Sequence, residues 1–237
     1  MESEPRLRSL GLIMDGNRRW AREQGKKTYF GHKKGFEVFT DSIEWIRDLG
    51  IEHAVFYAFS TENWNRSEEE VEYLMNLFRD AMVRLEKRID ENSKDDNKDK
   101  PINIRVVGRK KDFPEDLQEK MISLEKKNDD YPNPATTIWV ALSYGGRAEI
   151  VEAVNKAVVK GDEVTEETFE ELLWTAGMPD PDMIVRTSGE HRLSNFMTWK
   201  SVYSEFLFLE KHWPAFTKSD LEGIVNEYGN RERRKGK

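Results

Sequence analysis

The chain has 237 residues, of which 37% are hydrophobic and 35% charged, and its net charge is −7. The length suits one large α/β domain, and the acidic balance argues against a general nucleic-acid binder. Cysteine is absent, which excludes disulfides and thiolate metal sites, and no apolar run approaches the ~18–20 residues of a membrane-spanning helix.

The first predicted strand ends abruptly in Asp15, Gly16 and Asn17, and a helix is predicted to follow. Gly16 tolerates backbone conformations that are closed to other residues, and Asn17 is predicted to cap the helix. A helix N-terminus attracts anions, and Arg18 and Arg19 add positive charge at the same point. Asp15 would repel an anion unless a divalent cation lay between its carboxylate and a phosphate. The turn therefore predicts a Mg²⁺–phosphate site, with a surface turn and solvated arginines as the alternative.

Helical and strand patterns alternate along the rest of the chain. The predicted strands are 51–59, 102–107, 136–142, 183–185 and 206–209, and the predicted helices are 35–47, 114–128, one that ends at Val159 and three capped by Ser67, Thr165 and Ser219. The charged run 91–100 is predicted to be an exposed loop, and residues 231–237 form a basic tail. The alternation predicts one domain over residues 1–237, an α/β fold with a mostly parallel central sheet covered by helices.

Three polar loops follow predicted strands and begin at Asp15, Ser60 and Arg186. Because ligands bind beyond the carboxyl ends of parallel strands, we expect these loops to meet at one edge of the sheet. Arginine suits phosphate, since its guanidinium donates hydrogen bonds in pairs, and no Ser-His-Asp order supports nucleophilic catalysis. The expected site contains Asp15, Asn17, Arg18, Arg19, Ser60, Glu62, Asn63, Arg66, Arg186, Arg192 and Ser194, with His32 and His191 as further donors.

Simpler roles are open for some of these residues. Arg66 precedes a helix rich in glutamate, so pairing with Glu69 or Glu70 would explain it without a ligand. Trp64 is as easily explained by packing in the core. Without further information, a phosphatase or kinase of small phosphates is the next candidate, although the chain has neither a P-loop nor an evident nucleophile.

Five segments, residues 12–21, 31–35, 57–66, 144–147 and 186–205, occur in an order and spacing that resemble the cis-prenyltransferases of the undecaprenyl diphosphate synthase family. The resemblance covers about residues 10–236 and implies Mg²⁺-dependent addition of isopentenyl diphosphate to an allylic prenyl diphosphate with Z geometry. It implies a homodimer without a nucleic-acid partner, whose tail motif at 234–236 reaches the partner subunit's site. The charged N-terminus lacks a signal-peptide core, so we expect a cytoplasmic protein with at most peripheral membrane contact for product release.

The same resemblance implies roles for individual residues. Asp15 would hold Mg²⁺ on a substrate diphosphate, Glu205 would be a further Mg²⁺ ligand close to His191, and Asn63 would assist proton removal. The substrate-binding residues that it implies are Gly16, Asn17, Arg18, Arg19, Trp20, Thr28 and His32 for the allylic diphosphate, Ser60, Thr61, Glu62, Trp64 and Arg66 around the reacting carbons, and Arg186, Arg192, Leu193 and Ser194 for isopentenyl diphosphate.

The chain departs from the family pattern at Thr28, where many members place an arginine on the allylic diphosphate. Lys26 or Lys27 is the candidate replacement, and a family member with an unusual primer, acceptor or regiochemistry is an alternative. A non-catalytic partner subunit of a heteromeric enzyme is a second alternative, although the Asp-Gly-Asn turn is intact. The growing tail requires an apolar tunnel, and the helical stripe 71–89 is predicted to line it opposite Phe36, Phe39 and Ile43, with ordinary core packing as the alternative.

Overall fold

The computed structural model describes residues 6–92 and 101–231, and its centre is a single sheet. The strands are β1 (Ser9–Ile13), β2 (His53–Ser60), β3 (Ile102–Val107), β4 (Thr136–Tyr144), β5 (Met183–Thr187) and β6 (Glu205–Leu209). Their order is β3-β4-β2-β1-β5-β6, and every pair is parallel. The predicted α/β fold is confirmed, with a sheet that is parallel throughout these six strands.

The helices pack on both faces of the sheet, as an all-parallel sheet requires. They are α1 (Asn17–Glu23), α2 (Thr28–Asp48), α3 (Glu68–Asn92), α4 (Glu115–Lys126), α5 (Gly146–Lys160), α6 (Glu166–Glu170) and α7 (Lys218–Gly229). Leu12 and Phe56 point toward the core shared with α2, α3, α4 and α7, whereas Ile13 and Val55 point to the opposite core. Among the described residues, no helix combines the length and apolarity needed to cross a membrane.

The α2 helix begins at Thr28 rather than at the predicted residue 35. The prediction missed its first turns because Gly31 and Gly35 hide the helical pattern there. Both glycines lie against α1. A Cβ on Gly31 would be 1.9 Å from the Asn17 carbonyl oxygen, and a Cβ on Gly35 would be 2.1 Å from Asn17 Oδ1. The glycines therefore permit the close contact between α1 and α2.

Two predicted caps are wrong. Gly16, with φ of 99°, holds the N-cap position of α1, and Asn17 is the first helical residue. Thr217 rather than Ser219 caps α7, because the Thr217 hydroxyl and the Asp220 carboxylate form a capping box. Helix α3 includes positions 91 and 92, which the sequence places in the charged loop, and residues 93–100 and 232–237 lie outside the described residues.

The strand order places the three polar loops together. Strand β1 lies between β2 and β5, and Ile13 is in register with both Tyr57 and Arg186. The segments that begin at Asp15, Ser60 and Arg186 therefore leave the same edge of the sheet side by side, as expected from the sequence.

Candidate active site

Asp15 lies two residues beyond the end of β1, and its carboxylate is bound from two sides. The Gly16 backbone N–H donates to Oδ1 at 2.6 Å, Arg186 Nη2 donates to Oδ2 at 2.8 Å, and Arg19 Nη2 lies 3.2 Å from Oδ2. Burial alone would raise the pKa of Asp15, but the hydrogen bond and charge of Arg186, together with Gly16 and Arg19, hold that pKa below its usual value. Asp15 is therefore a carboxylate at neutral pH.

Arg186 is the penultimate residue of β5 and is only 4% exposed. Its Nη1 donates to the Arg192 carbonyl and to the Ser194 hydroxyl at 2.8 Å, while its Nε is buried without a hydrogen-bond partner among the described residues. A buried guanidinium with a spare donor is prepared for an added acceptor, because an unpaired buried polar group is unfavourable.

Asp15 and Met14 separate two polar clefts. The Arg186 cleft, about 500 Å³, is lined by Ile13, Met14, Asp15, Tyr57, Ser60, Glu62, Asn63, Arg186, Ser194 and Asn195. The cradle cleft, about 380 Å³, is lined by Met14, Asp15, Gly16, Asn17, Arg18, Arg19, Arg22, His32, Arg66, Glu190 and Arg192. The cradle cleft has five arginines, whereas Arg186 is the one arginine in the lining of the Arg186 cleft, and both clefts share the Asp15 carboxylate.

Four of the five arginines of the cradle cleft are paired with two glutamates. Glu70 lies 3.7 Å from Arg18 and 3.0 Å from Arg66, so the simpler explanation of Arg66 is also correct. Glu190 pairs with Arg19 at 3.2 Å and with Arg192. These pairs hold the guanidinium groups around the cleft with donors left over, since each guanidinium has five N–H groups.

His32 lies at the inner wall of the cradle cleft, 3.2 Å from Glu70 Oε1. Burial and the charge of Arg66 lower the pKa of His32, although Glu70 opposes the shift. The ring is therefore neutral near pH 7 and can offer one N–H and one acceptor nitrogen.

An apolar cavity of about 90 Å³ lies between α2 and α3 and meets the cradle cleft at Met14, Asn17 and His32. Its walls are Gly35, Phe36, Phe39, Tyr57, Ala58, Leu74, Leu77, Phe78, Ala81, Met82, Leu85, Val140, Leu142 and Trp213. The predicted apolar tunnel thus has a counterpart at the predicted place, although Ile43 and three members of the α3 stripe (Val71, Met75 and Ile89) are not in its lining.

Seven of the predicted site residues do not line either cleft or the cavity: Trp20, Thr28, Thr61, Trp64, His191, Leu193 and Glu205. Trp64 packs on Phe59 and donates its indole N–H to Ser143 Oγ at 2.9 Å, as its alternative core role predicted. Thr28 is the first residue of α2 and Leu193 packs against the core.

Glu205 begins β6, in register with Met183 and thus level with Leu10, at the end of the sheet opposite Asp15. Five residues of strand separate these levels, roughly 16 Å. Its carboxylate accepts from Arg231 Nη1 at 2.7 Å, and His191 stacks on Phe208 instead of approaching it. Because of this separation, Glu205 and Asp15 of the same chain cannot bind one ion. The spacing of residues in the sequence does not show at which end of a strand a residue lies.

Several residues that line the clefts were not predicted: Ile13, Met14, Arg22, Tyr57, Glu190 and Asn195. Met14 and Tyr57 belong to apolar strand patterns, which carry no signal of a ligand. Asn195 is fixed by its own bonds, since its amide donates to Glu62 at 3.0 Å and accepts from the Arg147 backbone N–H at 2.9 Å.

Backbone strain is concentrated in the loop after β5. Ser188, Ser194 and Asn195 have φ values of 82°, 48° and 65°, a region that residues other than glycine rarely adopt. Two of them line the Arg186 cleft, and such strain persists where surrounding contacts fix a functional loop.

The family model described as putative undecaprenyl diphosphate synthase matches residues 13–236. The chain belongs to the undecaprenyl diphosphate synthase family. The resemblance seen in the five sequence segments is therefore confirmed. Members of this family are prenyltransferases, and so is this protein.

Three comparisons show how the family members differ. The chain is 42% identical to an isoprenyl transferase of Thermotoga maritima, covering 96% of this chain and 95% of that one. It is 38% identical to a geranylgeranyl-diphosphate-specific tritrans,polycis-undecaprenyl-diphosphate synthase of Thermoplasma volcanium, with coverages of 98% and 90%. Lavandulyl diphosphate synthase of Lavandula x intermedia, solved with dimethylallyl diphosphate, superposes with a TM-score of 0.87 at 32% identity over 98% of both chains.

The donor set around Asp15 fits Mg²⁺ only as an ion shared with a substrate. No group of three or more His, Cys, Asp or Glu side chains that could hold a metal occurs within residues 6–92 and 101–231. Mg²⁺ is commonly bound by one or two carboxylates together with substrate phosphates, and Asp15, which borders both clefts, can provide that carboxylate.

Proposed function

We propose that this family member catalyses Mg²⁺-dependent cis-prenyl transfer from an allylic prenyl diphosphate to isopentenyl diphosphate, which gives a Z-polyprenyl diphosphate for a lipid carrier or another isoprenoid. One observation carries the proposal: Asp15 lies between the arginine-rich cradle cleft and the Arg186 cleft, and an apolar cavity adjoins the cradle cleft. This arrangement suits two diphosphates and one hydrocarbon tail.

The allylic diphosphate is assigned to the cradle cleft, because its tail then enters the apolar cavity past Met14 and His32. Isopentenyl diphosphate is assigned to the Arg186 cleft, with Arg186 and Ser194 as its donors. When bound by Asp15 and diphosphate oxygens, Mg²⁺ would supply positive charge to the leaving group.

The reaction breaks the allylic C–O bond, and its electron pair leaves with the diphosphate. The double bond of isopentenyl diphosphate forms the new C–C bond, and loss of one proton sets the new alkene. Arg18, Arg19 and Arg66 stabilise the charge that develops on the leaving diphosphate. Asn63, the candidate for assisting proton removal, lines the Arg186 cleft, and the Ser60 backbone N–H donates to its Oδ1 at 3.1 Å.

The test is incubation of the pure protein with labelled isopentenyl diphosphate, Mg²⁺ and a panel of dimethylallyl, geranyl, farnesyl and geranylgeranyl diphosphates. We expect longer labelled products, and we expect none to form when EDTA is present. Analysis of the products gives their chain length and double-bond geometry. Absence of any product would refute the catalytic proposal and favour a non-catalytic partner subunit, and a branched product would show an unusual regiochemistry.

Primer binding should respond in opposite directions to changes at residues 22 and 28. Arg22 lines the cradle cleft and has no ion-pair partner in the described part of the chain, so it is a better candidate than Lys26 or Lys27 to replace the family's arginine. Lys26 instead lies over the Trp20 ring, 5.7 Å from its centroid. We expect Arg22→Ala to raise the KM of the allylic primer about tenfold, because a charged hydrogen bond contributes ~1.5–3 kcal/mol.

Thr28→Arg should lower that KM, or shift the preference among primers, by adding a guanidinium at the start of α2. The KM of isopentenyl diphosphate is the internal control for both variants and should change less than twofold. If Thr28→Arg changes neither the KM nor the primer preference, Thr28 is neutral and does not determine primer choice.

We propose a homodimer in the cytoplasm. Strand β6 is an edge strand of the sheet and exposes Phe206, which makes it our candidate for contact with a second copy. A stable dimer should bury on the order of 1,000 Å² or more. Light scattering at assay concentration should give twice the chain mass, and an active monomer would contradict this. The tail motif at 234–236 lies outside the described residues.

A further inference from the structure

Positive charge is concentrated in one short part of an acidic chain. Residues 18–34 contain seven arginines or lysines and a single acidic residue, a local net charge of +6 in a protein whose total is −7. Three of these cations, Arg18, Arg19 and Arg22, line the cradle cleft. The other four, Lys26, Lys27, Lys33 and Lys34, are exposed on the turn before α2 and on its first turns.

Exposed aromatic rings lie among these lysines. Tyr29 and Phe30 are 38% and 42% exposed, and their rings stack with centroids 4.5 Å apart. Tyr73 of α3 lies beside Tyr29, and its hydroxyl donates to the Tyr29 carbonyl at 3.2 Å. The Lys26 ammonium lies 5.9 Å from the centroid of Phe30. We call Lys26, Lys27, Tyr29, Phe30 and Tyr73 the basic aromatic surface.

The basic aromatic surface adjoins the apolar cavity. Tyr29 precedes His32 by three residues and Phe36 by seven, so the three side chains lie on one face of α2. His32 and Phe36 line the cavity, and so does Leu74, the residue after Tyr73. The exposed rings therefore lie at the outer end of the two helices that enclose the cavity.

We propose that the basic aromatic surface docks the protein on an anionic lipid bilayer. Aromatic side chains favour the headgroup level of a membrane, and lysines near the surface are attracted by anionic lipids. The inference rests on the proposed function, since a polyprenyl product is insoluble in water and the cavity proposed for its tail lies between the two helices that carry the exposed rings. The exposed large hydrophobic side chains of α5, in contrast, are valines and include no aromatic ring.

The test is sedimentation of the substrate-free protein with vesicles of phosphatidylcholine alone or with about one third phosphatidylglycerol. We expect binding only to the anionic vesicles, and less binding as salt is raised. Lys26→Gln combined with Lys27→Gln should lower the partition coefficient about tenfold or more, because each lysine near an anionic surface adds to binding. Tyr29→Ser combined with Phe30→Ser should lower it to a similar extent.

The matched control is Val83→Ser combined with Ile122→Ser, which removes two side chains that are 51% and 50% exposed on α3 and α4. It should bind the vesicles like the unchanged protein. Prenyl transfer measured in detergent with a short primer should be the same for Tyr29→Ser with Phe30→Ser as for the unchanged protein. Equal binding to both kinds of vesicle, or equal binding of the aromatic and control variants, would overturn the proposal. If neither the unchanged protein nor the variants show prenyl transfer, the proposed function is refuted instead. The docking proposal is tested separately, because vesicle binding is measured without substrate.

Discussion

Replacing Asp15 by alanine is expected to lower the rate of prenyl transfer by ~10²–10³-fold, since groups that act on developing charge typically contribute that much. Asp15 borders both clefts and is held as a carboxylate by Arg186, Arg19 and the Gly16 N–H. The protein should remain folded, because Arg186 keeps the Arg192 carbonyl and the Ser194 hydroxyl as acceptors. The measurement is kcat with a saturating primer, beside the thermal midpoint.

Asp116→Ala is the matched control for this variant. Asp116 is likewise paired with an arginine, since it accepts two hydrogen bonds from Arg79 at 2.6 and 3.0 Å, but this pair joins α3 to α4 on the surface. Exposed ion pairs contribute little, so its activity should change less than twofold. An Asp15→Ala enzyme that retains more than about a tenth of the rate would remove Asp15 from the metal-binding role.

Replacing Gly31 by alanine is expected to destabilise the fold by about 1–3 kcal/mol or more, the usual effect of overpacking. The new Cβ would be 1.9 Å from the Asn17 carbonyl oxygen, a backbone atom that cannot move without the whole of α1. Because α1 carries Arg18 and Arg19, activity should fall together with stability. The measurement is the thermal unfolding midpoint, which should drop by ~2–4 °C per kcal/mol for a chain of this size.

Gly223→Ala tests whether the effect is specific to that contact. Gly223 lies inside α7, is exposed, and a Cβ added to it would have no neighbouring atom within 4 Å. Alanine there should stabilise the protein by about 0.5–1 kcal/mol, the helix preference for alanine over glycine. If Gly31→Ala unfolds at the same temperature as the unchanged protein, the close packing of α1 on α2 is not as described.

The sequence predicted the polar residues of the loops better than the apolar residues whose roles depend on how distant strands pack together. Alternating elements with polar loops after strands were sufficient to expect Asp15, Ser60 and Arg186 at one edge, because parallel strands share their direction. Met14 lies between the clefts and Tyr57 lines the Arg186 cleft and the cavity, yet both look like ordinary strand residues in the sequence. Their roles depend on the strand order, which periodicity does not determine.

The helix ends were predicted wrongly and the metal-binding role of Glu205 stays a prediction, because residue type does not show where in the fold a residue lies. Asn17 and Ser219 are good capping residues, but Gly16 and Thr217 occupy the cap positions. Gly16 adopts a φ of 99°, and Thr217 forms a capping box with Asp220. Glu205 is a reasonable metal ligand by residue type, yet it lies at the start of β6 and pairs with Arg231. Residue type thus predicted the kind of chemistry, and the register of the sheet determined which residues share it.

The central claim is that the cradle cleft binds the allylic diphosphate and that the tail enters the cavity between α2 and α3. A crystal structure with a non-cleavable allylic thiodiphosphate and Mg²⁺ tests it most directly. We expect diphosphate oxygens within hydrogen-bond distance of the Gly16–Arg19 backbone and of Arg19, with the tail between Phe36 and Leu74. A diphosphate bound away from Asp15, or a tail that lies outside the cavity, would contradict the claim.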